Sequence, residues 1–312
     1  MPGLYDVRPS GVIARARQGS APQATNYNRE HRCSRIDPTP AAEADTRMVL
    51  NIAHRGARSL APENTLAAAR KAHALGADLW ETDTAVSADG GLFLMHDDSM
   101  MRTTDVEAKF PDRVPAPFST YTLAEIRTLD AGSFFERTDP FEQIAAGAVT
   151  ADELASYRGE KVPTLREAFE LTVELDWRMN LELKAQPTPN DSFDVVTAVL
   201  ALVDEVGIGP DHLLFSSANH SWLRTIRARR PEFELQALLG LFPQDPIDFS
   251  DSFFDTFNPR ITRCTTEELA AVLARGIKLN PYTINEPDEI EQLRAIGITG
   301  LITDFPQRVA RR

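Results

Sequence analysis

The sequence predicts an α/β fold, a TIM-type (β/α)8 barrel with an insertion after the second strand. Three observations carry that prediction. From residue 48 onward, eight apolar runs of strand length alternate with amphipathic segments that bear helix start and stop signals. No glycine-rich nucleotide loop follows the first run, because His54-Arg55-Gly56-Ala57-Arg58-Ser59 is not Gly-x-Gly-x-x-Gly. Reactive side chains end several of the runs, which a barrel mouth gathers and an open doubly wound sheet gathers less readily.

Residues 1–47 precede the alternation. They hold five prolines, seven arginines and no lysine. Stretches such as Gly19-Ser20-Ala21-Pro22 offer nothing to pack, so a disordered or poorly packed tail is expected. Met48 opens the first strand-like run, 48–53, and is a candidate translation start. A helix is expected over 65–75, with Asn64 as its N-cap and Gly76 as its stop. Residues 79–86 read as the second strand, and Asp89-Gly90-Gly91 turns the chain into a short arm, 92–96.

Residues 99–161 break the rhythm with Pro111, Pro115, Pro117 and Pro140. One clear helix stands there, 123–129, behind the capping box Thr122-Leu123-Ala124-Glu125. A long insertion beside a site reads as a lid. The alternation then resumes: a helix from the capping box at Thr164 to about 175, a strand over 178–184 and a helix over 193–206. Strands follow at 212–217 and 234–239 around a helix at 221–229. The last strands are expected at 253–257, 277–284 and 298–303, with helices at 267–274 and 288–296 between them.

Composition narrows the partners. With 42% hydrophobic and 25% charged residues, a chain of 312 residues can bury a full core. The formal charge of −13, from 46 acidic against 33 basic residues, argues against nucleic acid or an anionic membrane as the main partner. Two cysteines, Cys33 and Cys264, make no disulfide framework or thiolate metal site. The longest apolar run, 195–203, is far short of a membrane span, and no secretory signal pattern is present, so a cytoplasmic location is expected.

The chemistry collects at strand ends. Glu81 and Asp83 are two apart on one strand and leave the same face, and Glu182 and Lys184 repeat that spacing on a later strand. Three carboxylates buried together cost several kcal/mol each unless a cation neutralises them. One lysine is too little, and oxygen ligands point to one divalent cation, Mg²⁺ or Ca²⁺. His54 and His96 each close an apolar run and suit an acid–base pair, in either assignment. Arg55 and Lys184 bring the positive charge that a phosphoryl group needs. His220 is a weaker candidate, while His31, His73 and His212 read as structural. Metal-dependent hydrolysis of a phosphoester is the reaction these residues support.

At these positions the chain resembles the glycerophosphodiester phosphodiesterases. The matching motifs are His54-Arg55-Gly56, Pro62-Glu63-Asn64-Thr65, Glu81-x-Asp83, His96-Asp97, Arg102-Thr103-Thr104, Pro163-Thr164-Leu165, Asn180-x-Glu182-x-Lys184 and Thr303-Asp304-x-Pro306. They span about residues 49–308 in the family's order. The resemblance implies metal ligands at Glu81, Asp83 and Glu182, catalytic His54 and His96, and phosphate held by Arg55 and Lys184. It also implies attack by a free glycerol hydroxyl through a cyclic phosphate, releasing an alcohol and then glycerol 3-phosphate from a small glycerophosphodiester. Ser217-Ala218 stands where the family often has Ser-Phe, and Tyr282-Thr283-Ile284-Asn285 where it often has Trp-Thr-Val-Asn. Tyr282 is thus either a substrate-side wall or a core aromatic at a strand end. Two other functions stay open here. One is lysophospholipase D, hinted at by an apolar rim of Phe110, Phe118, Phe134, Phe135 and Phe141; the other is a catalytically silent barrel that binds ligand.

Overall fold

The computed structural model describes residues 49–309, so the tail at 1–47 and the candidate start at Met48 lie outside the described residues. The strands are β1 (Leu50–His54), β2 (Leu79–Val86), β3 (Leu92–Leu94), β4 (Met179–Glu182), β5 (Leu213–Ser217), β6 (Leu235–Leu239), β7 (Thr256–Pro259) and β8 (Gly300–Thr303). Seven of them pair in parallel in the order β7-β6-β5-β4-β2-β1-β8, and β3 folds back antiparallel on β2. The two edges are joined by residues 279–282, which bridge Phe257 at Leu279 and Ile302 at Tyr282, both in parallel. Asn280 N–H donates to the Phe257 carbonyl at 2.9 Å and Ile302 N–H to the Pro281 carbonyl at 3.1 Å. The ring is closed: this is the TIM-type barrel.

Two strands differ from expectation. The run 277–284 forms bridges instead of a full ladder, because Pro281 has no N–H to give. The strand expected at 253–257 lies at Thr256–Pro259. Phe253 and Phe254 precede it and pack edge to face at 5.2 Å, so that apolar run serves the core before the sheet begins.

Helices cover the outside, and the main core fills the layer between, with Trp80, Phe169, Leu181, Phe215 and Leu269 fully buried or nearly so. Inside the ring, Ile52, Leu79, Leu214 and Ile302 form an apolar floor. Two residues further along the strands the inward positions turn polar, with Glu81, Asn180, Ser216 and Gln236 all buried. That change of character positions the site.

Helix starts are set by side-chain caps. Thr122, Thr150, Thr164 and Thr265 each form a capping box with the glutamate three residues on. The first helix, Leu66–Ala74, is capped by Thr65, whose hydroxyl accepts from Ala68 N–H. Asn64, expected in that role, instead sends its side chain to β2. Residues 99–161 hold helices Val106–Lys109, Leu123–Ile126, Ser133–Thr138 and Ala151–Tyr157 around two small cores shared with Ala85 and Phe93 of β2 and β3 and with Leu60, Ala61 and Ala68. Phe118, Phe134 and Phe135 are buried there, so those three rings of the expected apolar rim are interior packing, while Phe110 and Phe141 are half-buried.

The turn after β1 depends on one glycine. Gly56 has φ +80°, and a Cβ on it would stand 2.6 Å from the backbone carbonyl carbon of Ala68. Gly56→Ala is expected to destabilise the fold by about 1–3 kcal/mol, read as a lower denaturant midpoint at unchanged slope. A midpoint equal to the parent's would show that this turn relaxes freely.

Candidate active site

β2 and β4 assemble the carboxylates. Their register sets Asp83 opposite Glu182 and Glu81 opposite Asn180. One oxygen from each of Glu81, Asp83 and Glu182 lies within 4.8 Å of the others. Burial and then the charge of Asp83 push Glu81 well above the usual carboxylate range, and the same two causes lift Glu182 to about 7. Burial would raise Asp83 too, yet Lys184 and Arg55 hold it well below its ordinary value. Asp83 Oδ1 is buried without a hydrogen bond, with Lys184 Nζ 3.3 Å away. Three crowded oxygen donors, two reluctant to ionise and one with an orphaned atom, fit an oxygen-liganded divalent cation.

Both histidines stand beside this cluster, each oriented by an aspartate. His54, at the end of β1, has Nδ1 2.6 Å from Asp304 Oδ1 and Nε2 4.0 Å from Glu81 Oε2. Burial and then the charge of Arg55 lower His54 to about 4. Burial opposes ionisation of Asp304, but His54 and Arg58 hold it at about 2. His96 has Nδ1 2.7 Å from Asp97 Oδ1, and Arg102 Nε donates to the other Asp97 oxygen at 2.6 Å. An aspartate on one ring nitrogen leaves the other free to face the reaction.

The cations are placed by a second carboxylate. Glu63 is buried, and its oxygens accept from Arg55 Nη1 at 2.8 Å and from both Arg102 Nη atoms at 2.8 Å. Arg58 Nη2 lies 3.0 Å from it. Arg55, at φ 55°, also donates its backbone N–H to Glu81 at 3.0 Å. Asn64 donates to Asp83 at 2.9 Å and accepts from Thr82 at 2.8 Å, which aligns the inward face of β2. Lys184 Nζ donates to the His96 carbonyl at 2.9 Å, tying β4 to the arm beyond β3.

Glu63→Gln leaves three guanidinium groups around a neutral amide, and a loss of about 3 kcal/mol is expected. Burial would raise the Glu63 carboxyl, but Arg102, Arg55 and Arg58 depress it strongly. A depressed carboxylate stabilises the fold above its ordinary value of 4.5 and loses that contribution as pH falls toward the folded value. Urea midpoints should therefore separate parent and variant at pH 7 and converge at acid pH. Equal midpoints at pH 7 would show the arginines do not depend on Glu63.

A cavity of about 460 Å³ gathers His54, Arg55, Glu81, His96, Glu182 and Lys184, with Tyr282 on its wall. Tyr282 also donates its hydroxyl to the Leu239 carbonyl at 3.3 Å, joining both readings of that residue. His220 is not among the residues lining this cavity: its Nε2 is 3.0 Å from the Leu238 carbonyl and its ring 4.9 Å from Phe254. Asp97, Arg102 and Asp304 lie in motifs already visible in the sequence, but their partnerships needed the fold.

The sequence profile of the glycerophosphoryl diester phosphodiesterase family matches residues 54–308. A glycerophosphodiester phosphodiesterase of Caldanaerobacter subterraneus subsp. tengcongensis is 29% identical over 263 residues, 83% of this chain and 95% of that protein. A structure from Silicibacter pomeroyi DSS-3 superposes with TM-score 0.70 at 24% identity, over 85% of this chain and 92% of the other, and shares the fold. A phosphodiesterase of Oleispira antarctica, solved with the product sn-glycerol 3-phosphate, has TM-score 0.65 at 27% identity over 83% and 94% of the two chains.

Proposed function

The chain belongs to the glycerophosphoryl diester phosphodiesterase family, and from that premise we propose that it hydrolyses glycerophosphodiesters to glycerol 3-phosphate and an alcohol. The observation that carries this reading is one cavity lined by two aspartate-backed histidines and by Glu81 and Glu182, with Asp83 buried against those two carboxylates. Glu81, Asp83 and Glu182 hold one divalent cation, Mg²⁺ or Ca²⁺, which when bound offsets charge on the phosphoryl oxygens. Arg55 and Lys184 bind the remaining oxygens, and Tyr282 walls the glycerol side.

His54 and His96 divide the proton transfers. One accepts the proton of the attacking glycerol hydroxyl as its oxygen bonds to phosphorus. The other donates a proton to the alcohol oxygen as its P–O bond breaks. With the roles reversed, water opens the cyclic phosphate to glycerol 3-phosphate. Asp304 and Asp97 keep the two rings aimed. Residues 99–161 form the flank and lid of the site in this proposal, supported by Arg102, which reaches from that segment to Asp97 and Glu63. A cytoplasmic setting is proposed with it, in keeping with only two cysteines in 312 residues. Among the described residues no helix is long and apolar enough to cross a membrane.

The test is direct. Glycerophosphoethanolamine is incubated with the protein and Mg²⁺, Ca²⁺ or Mn²⁺, and products are followed by phosphorus NMR. Conversion to glycerol 3-phosphate is expected with at least one cation. An unchanged diester resonance with all three ends the proposal.

A further inference from the structure

The two aspartates that back the histidines are not separate supports. From His54 the contacts run to Asp304 at 2.6 Å, and Arg58 Nη1 lies 3.6 Å from the same Asp304 oxygen and 3.5 Å from His54 Nδ1. The other end of the Arg58 guanidinium, Nη2, lies 3.0 Å from Glu63. Glu63 accepts from both Nη atoms of Arg102 at 2.8 Å, and Arg102 Nε donates to Asp97 at 2.6 Å. Asp97 closes the chain on His96 at 2.7 Å. Charge alternates along the whole path, from Asp304 through Arg58, Glu63 and Arg102 to Asp97.

The two arginines have no other evident task. Among the described residues lining the catalytic cavity neither of them appears, so they do not face a substrate there. Each stands between two carboxylates, and a planar fork fixed at both ends passes direction as well as charge. Glu63, with 5% of its side chain exposed, is the buried midpoint. Arg102 has 43% of its side chain exposed, yet commits three donors to this path. Residues 99–161 supply Arg102 itself and also brace the far end: the Phe141 ring lies under the Arg58 guanidinium at 5.1 Å and meets Phe305, next to Asp304, at 5.5 Å.

We propose that Arg58 and Arg102 are positioning residues that act through Glu63 to aim His54 and His96 as one unit. The proposal rests on the hydrolysis argued above and deepens it: the group that takes a proton and the group that gives one are set together. An acid and a base serving the same step gain little from alignment of one alone.

The experiment is a double-variant cycle on glycerophosphoethanolamine turnover with Arg58→Lys, Arg102→Lys and both together. Lysine keeps the charge beside Glu63, so the fold is preserved, but it cannot span two carboxylates as a guanidinium does. Each single variant is expected to lower kcat by about tenfold or more, with KM close to the parent's. The double variant should lose about as much as the worse single one. Arg70→Lys, in an exposed pair with Glu174 on the outer surface, should keep the parent's kcat. Losses that multiply to about a hundredfold in the double variant would show two independent supports and overturn the proposal. Parent-like kcat in either single variant, or a rise in KM alone, overturns it too and leaves the hydrolase reading intact. A parent that cleaves no diester overturns both together.

Discussion

His54→Ala and His96→Ala are each expected to lower kcat on a glycerophosphodiester by about 10²–10⁴-fold, the usual worth of a positioned acid or base. Each imidazole is held by a short contact to its aspartate, 2.6 Å for His54 and 2.7 Å for His96, so neither role passes easily to water. The fold should survive both changes. His54 stands at the end of β1 with 15% of its side chain exposed, and His96 lies beyond β3 and outside the sheet with 35% exposed. Thermal melts and circular dichroism of the variants would then match the parent while turnover collapses. Parent-like turnover in either variant would remove that histidine from the chemistry.

Removing the cation should be equally severe. Exhaustive EDTA treatment is expected to bring turnover to background, with recovery on adding back Mg²⁺ or Ca²⁺. Glu182→Gln should weaken binding of the cation itself, which calorimetry reads without any substrate. Glu81, Asp83 and Glu182 lie close enough that, without a cation, two of them resist ionisation. Binding should thus release protons and raise stability, by about 2.7 kcal/mol at a cation concentration one hundred times Kd. Full activity after chelation, or a melting temperature indifferent to cation in the parent, would dismiss the metal assignment.

What could be read from the sequence was whatever a strand end displays. Glu81, Asp83, Glu182 and Lys184 were visible because period-two spacing puts reactive groups on one face of an apolar run. His54 and His96 stood out as polar residues closing such runs. Glu63, Arg58, Arg102 and Asp304 were harder to read, because each matters through partners 5 to 250 residues away. No local period encodes such pairs. Asn64 shows the same limit from the other side: next to a helix start it looked like a cap, yet Thr65 serves there and Asn64 turns to Asp83. The phenylalanines of residues 99–161 looked like a rim because apolar runs do not tell interior from surface. Among the described residues the exposed large hydrophobics are Val173 and Phe242, and no pattern singled out either.

The contact between His54 and Asp304 ties the first strand to the end of the last, across 250 residues. During synthesis at roughly 5–20 residues per second, His54 is made roughly 12–50 s before Asp304 exists. Throughout that interval the growing polypeptide carries its arginines and carboxylates but has an unaimed imidazole and an open ring. The aspartate that aims His54 therefore arrives only once the last strand of the ring has been made.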